Sequence, residues 1–80
     1  VRLLLQTPPA SSVEIAGDFT DWQPISLAPA RQGGWEIVLR IPAGVHQINV
    51  RIDGGPWVVP GGTTRLVGDY DDEVGSFVVP

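Results

Sequence analysis

The sequence predicts an all-β fold, an antiparallel immunoglobulin-like sandwich of about seven short strands, and three observations predict it. Eight prolines and ten glycines punctuate the 80 residues, and the longest stretch free of both, Val45 to Asp53, is shorter than a typical helix. Between these breakers apolar and polar residues alternate with period two, the pattern of strands with one buried face and one wet face. Hydrophobic residues make up 42% and charged residues 18% of the chain, enough apolar material for one continuous core.

In chain order, Val1 to Gln6 forms the first strand, and Thr7-Pro8-Pro9 ends it because proline removes backbone donors. Ser12 to Gly17 forms the second, with Val13 and Ile15 facing inward. Gly17 to Pro24 is a loop rich in turn formers that holds two aromatic residues, Phe19 and Trp22, and Ile25 to Ala28 is a short strand after it. Trp35, Ile37, Leu39 and Ile41 then share an inner face opposite Glu36 and Arg40, and Pro42-Ala43-Gly44 turns the chain back as a hairpin. On the return strand Ile48, Val50 and Ile52 point inward, so Gln47, Asn49, Arg51 and Asp53 project outward as a polar row. Asp53-Gly54-Gly55-Pro56 is a tight turn, Trp57-Val58-Val59 starts a short strand, and a long connection through Glu73 leads to a last strand, Ser76 to Val79.

Length allows one domain, residues 1–80, and a chain of this size must bury its core compactly. A start at Val1 and the lack of methionine lead to the expectation of a processed form or a segment excised from a longer protein. The formal net charge is −4 and the five basic residues are scattered arginines, so no positive stripe serves nucleic acid or an anionic membrane surface. No apolar run approaches the roughly 18 residues of a membrane span. Without cysteine there are no disulfides or thiol chemistry; the compartment stays open, with the cytoplasm favoured.

The series Val13-Glu-Ile-Ala-Gly-Asp-Phe-Thr-Asp-Trp22, then Trp35-Glu36 and Leu39, then Ile41-Pro-Ala-Gly-Val-His-Gln-Ile-Asn-Val50, then Ile52-Asp-Gly-Gly-Pro-Trp57 resembles carbohydrate-binding module family 48 over nearly the whole chain. That family includes the glycogen-binding domain of the AMP-activated protein kinase β subunit and the early-set domains of isoamylases and branching enzymes. The resemblance implies an early-set sandwich in which two exposed tryptophans stack on glucose rings while a lysine and an asparagine bond the hydroxyls. Position by position, the tryptophans fall on Trp22 and Trp57, the lysine on Asn49, and the asparagine around Gly75.

The residues themselves suit such a ligand. A pyranose has an apolar C–H face and a rim of hydroxyls, so flat aromatic platforms flanked by amide or guanidinium groups recognise it. Trp22, Asn49 and Trp57 are the candidate site, with Gln47 and Arg51 as further polar groups on the same face. Each tryptophan could instead anchor the core, the expected role of Trp35, Phe19 and Phe77. His46, the sole histidine, reads as a partly exposed strand-end residue. Asp69, Asp71, Asp72 and Glu73 read as a solvated acidic loop, since their spacing matches no complete calcium loop.

Catalysis is not expected: no serine has an elbow motif, and a sandwich this small offers no deep cleft to hold two carboxylates apart. No cofactor or metal is implied. Two functions follow. One is a non-catalytic module that binds α-glucan, glycogen or starch-like, weakly by tryptophan stacking, next to other domains of its chain. The other is a structural or protein-interaction domain that has lost the glucan site and forms a homo-oligomer through an edge or face.

Overall fold

The computed structural model describes residues 1–68 and 72–80. The longer alternating runs between breakers form strands. The described elements are β1 (Arg2–Leu5), β2 (Val13–Gly17), a 3-10 turn (Asp18–Thr20), β3 (Ile25–Ser26), β4 (Ala28–Pro29), β5 (Trp35–Val38), β6 (Gly44–Ile52), β7 (Trp57–Val58), β8 (Thr64–Val67) and β9 (Glu73–Val79). They form two antiparallel sheets, one of three strands in the order β1-β5-β4 and one of six in the order β3-β2-β6-β9-β8 with β7 also on β6. No helix among the described residues is long and apolar enough to cross a membrane.

The all-β sandwich agrees with the sequence pattern, while the strands among the described residues number nine rather than about seven. Two features account for the difference. The expected strand Ile25 to Ala28 divides at Leu27, which is buried and whose N–H donates to the Val13 carbonyl at 2.9 Å. Residues before it pair with β2 and residues after it pair with β5, so the chain changes sheet there. In the long connection, Thr64–Val67 pairs with β9 in the register Thr64↔Ser76 to Val67↔Glu73 and adds an edge strand.

The expected hairpin between the Trp35 strand and the return strand is corrected. β5 belongs to the small sheet and β6 to the large one, so the segment between them bridges the two layers. The reason is the core: Trp35 and Ile37 pack on the buried cluster from one side, while Ile48 and Val50 enter it from the other. A hairpin within one sheet would place all four on a single face with nothing opposite. Buried Ile41 and Gly44, at φ 127°, make the passage.

β6 is the spine of the large sheet. Along one edge, Ile48 to Ile52 pair with Gly17 to Val13; along the other, Gly44 to Ile48 pair with β9 and Val50 and Arg51 with β7. Its inward residues join Val13, Ile15 and Leu27 in the core, against which Leu3, Leu5, Phe19, Leu39 and Phe77 pack. Gly75 is also buried, and a β-carbon there would run into the Thr63 side chain. Because Gly75 pairs with Ile48, it shares that residue's inward side.

Replacing Ile15, which is fully buried, by alanine should lower unfolding free energy by about 2–5 kcal/mol in urea titration. Gly75→Ala should cost about 1–3 kcal/mol through overpacking, and a second change, Thr63→Ala, should recover part of it.

Candidate functional site

The segment Gly17 to Pro24 is organised residue by residue. Gly17 donates its N–H to Thr20 Oγ1 at 3.1 Å, and that hydroxyl lies 3.0 Å from the Gln23 carbonyl. Gly17 is required because the Phe19 ring occupies the space a β-carbon would take. Asp18 reaches across to β6, where Oδ1 accepts the Gln47 N–H and Oδ2 lies 3.1 Å from His46 Nδ1. Phe19 turns inward and meets His46 and Phe77 edge to face, at centroid separations of 6.1 and 5.7 Å. These contacts answer why the loop holds two aromatic residues: one anchors it and the other does not.

Trp22 is the one that does not. Asp21 and Trp22 both adopt left-handed backbone, with φ of 52° and 58°, a conformation costing about 1–2 kcal/mol per non-glycine residue. The Trp22 N–H donates to the Gly17 carbonyl at 2.9 Å, so the turn closes on itself. Trp22 remains 44% exposed.

His46 departs from the expected strand-end position. It is the third residue of β6, its side chain is 11% exposed, and Nε2 lies 2.6 Å from the Pro42 carbonyl. Both ring nitrogens therefore face oxygen atoms. Its role is to tie the Asp18 turn and the Pro42 bridge to β6.

On the outward side of the large sheet, Ala16 pairs with Asn49, and the row beside it runs Glu14, Arg51, Trp57 across three strands. The turn that returns the chain to Trp57 has Asp53 and Gly54 at φ 51° and 69°, closed by the Gly55 N–H on the Ile52 carbonyl at 2.9 Å. This is the backbone of a type I′ turn. The Asp53 carboxylate accepts the N–H groups of Ser11 and Ser12 at 2.7 and 2.9 Å, so this acid holds the turn to β2 instead of joining a polar binding row.

Trp22, Asn49 and Trp57, the three residues singled out from sequence, line one shallow concavity of about 270 Å³ together with Ala16 and Pro24. Ala16 is 5% exposed although it lies on the outward phase of β2, so this small residue sits under the site. Asn49 Nδ2 donates to the Glu73 carbonyl at 3.1 Å, while Oδ1 is buried and meets no hydrogen-bond partner among the described residues. Gln47 and Arg51 share the outward side but do not line the concavity. Gly75 faces inward and contributes nothing to it.

Sequence reasoning missed Ala16, Pro24 and Glu14. Phase alone could have found the first and last, because both alternate with the inward Val13 and Ile15. Among the expected acidic loop residues, Asp69 and Asp71 lie outside the described residues, Asp72 is exposed, and Glu73 pairs with Arg65 at 3.3 Å. Among the described residues no group of three or more histidines or acids is placed to hold a metal ion. Larger concavities lie elsewhere, the most apolar being a cleft of about 380 Å³ between β1 and the segment Val58 to Gly61.

Compared with models of known protein families and with curated proteins, the chain matches none.

Asp18→Ala should remove the bond to Gln47 and the contact to His46 together, costing about 1 kcal/mol of stability. In amide and indole proton spectra the Trp22 resonance should shift while that of Trp35, in the other sheet, holds.

Proposed function

We propose that this domain is a non-catalytic module that binds α-glucan, and one observation carries the proposal: two indoles and an amide from three separate elements line the same concavity. The chemistry is that of a neutral, hydroxyl-rich ligand with flat apolar faces. Indoles offer dispersion and C–H contact, and Asn49 adds a polar amide to the lining of the concavity.

Backbone conformation adds support. Two successive left-handed residues are held in place to display a large aromatic side chain, and strain of this kind gathers where a ligand is met. The resemblance of Val13 to Trp57 to carbohydrate-binding module family 48 points the same way. The site's volume of about 270 Å³ falls just below the roughly 300–1,000 Å³ that enclose small ligands. It therefore holds part of a chain against a surface, with weak affinity.

A maltoheptaose titration should shift the Trp22 and Trp57 indole resonances with Kd on the order of 0.1–1 mM. Trp22→Ala should leave stability within about 0.5 kcal/mol and weaken binding about tenfold. Unmoved indole signals at millimolar sugar would refute the proposal.

A second reading, self-association of an early-set scaffold, has its own observation. Val45 and Val78 are cross-strand partners, 67% and 68% exposed, and the edge strand β8 is exposed along its whole length. Such an apolar pair beside an open edge invites strand addition. Light scattering at rising concentration separates the two readings: a constant monomer mass with sugar binding supports the module, and a dimer that ignores sugar supports the scaffold.

A further inference from the structure

The row Glu14, Arg51, Trp57 is in register across β2, β6 and β7. The Arg51 guanidinium carbon stands 4.5 Å from the centroid of the Trp57 ring. Its Nε and Nη2 each lie 3.0 Å from Glu14 Oε1. The two side chains are only 28% and 25% exposed, so this charge-assisted pair is screened less than one at the rim. Trp57 lines the concavity and Arg51 does not, so the guanidinium meets the ring outside the lining of the site.

We propose that Glu14 and Arg51 are positioning residues for Trp57. The guanidinium, pinned by Glu14, covers one face of the indole and holds the plane of the ring. The face left open, beside Asn49, is the only one on which a pyranose can stack. This inference rests on the α-glucan reading and adds sidedness to it: Trp57 takes one sugar ring, from one direction. It also supplies preorganisation, because β7 is a two-residue strand and an unheld indole would lose rotamer freedom on binding.

The test uses the 15N-labelled domain and the variants Arg51→Gln, Arg51→Lys, Glu14→Gln and Trp57→Phe, singly and paired. In sugar-free protein, Arg51→Gln and Glu14→Gln should displace and broaden the Trp57 indole resonance and leave Trp35 in place. Maltoheptaose Kd should rise about three- to fivefold in Arg51→Gln. Arg51→Lys should recover part of that loss, since an ammonium still faces the ring but lacks the guanidinium's fixed fork. Combined with Trp57→Phe, Arg51→Gln should add little further loss.

An equal loss from Arg51→Gln with and without the indole would overturn the proposal, and so would an unmoved Trp57 resonance. If Arg51→Gln fails to fold, the isosteric Glu14→Gln carries the same readouts. Should the wild-type domain bind no maltoheptaose, the glucan reading falls, while the sugar-free spectra still decide whether Arg51 holds the ring.

Discussion

Strand β6 is the constraint on which the molecule depends. It is the longest described strand, and it meets β2 along one edge and β9 and then β7 along the other. Its alternation is strict where it matters: Ile48 and Val50 are buried in the core, and Asn49 and Arg51 face outward. A slip of one residue would carry an amide and a guanidinium into the apolar layer and expose Ile48 and Val50. The hydrophobic core and the outward surface are therefore specified by the same nine residues, from opposite phases.

What surrounds the concavity is scaffold recruited to hold it. Asp18 and His46 fasten the loop that ends in Trp22, Asp53 fastens the turn that leads to Trp57, and Glu14 bonds Arg51, which stands against that second ring. Each is a charged or titratable side chain bonded to backbone or to an opposite charge. A single small residue, Ala16, keeps the ground between the elements low; a larger side chain there would fill the dent that the two indoles border.

Much of the fold was legible in period and punctuation. The all-β class, the inward phase of Val13, Ile15, Ile48 and Val50, and the tight turn at Asp53-Gly54 all follow from local rules that reach no further than a few residues. The connection from β5 to β6 was not legible in this way. Pro42-Ala43-Gly44 has the composition of a hairpin turn, yet it joins two layers, because whether adjacent strands pair or face each other depends on what else covers their apolar sides. Leu27 shows the same thing on a smaller scale: in sequence it continues a strand, and in space it is the point where the chain changes sheet.

By itself the sequence determined the all-β class, the phase of β2 and β6 and the short roster of aromatic and amide side chains available to a ligand, since these depend on covalent geometry and on alternation along one chain. Tertiary structure alone decided that Trp22, Asn49 and Trp57 would meet, that Gly75 would face Thr63 in the interior, and that Arg51 would be spent on Glu14 and Trp57. These outcomes turn on the register between strands far apart in sequence. Register is set by the whole core at once, and no local rule contains it.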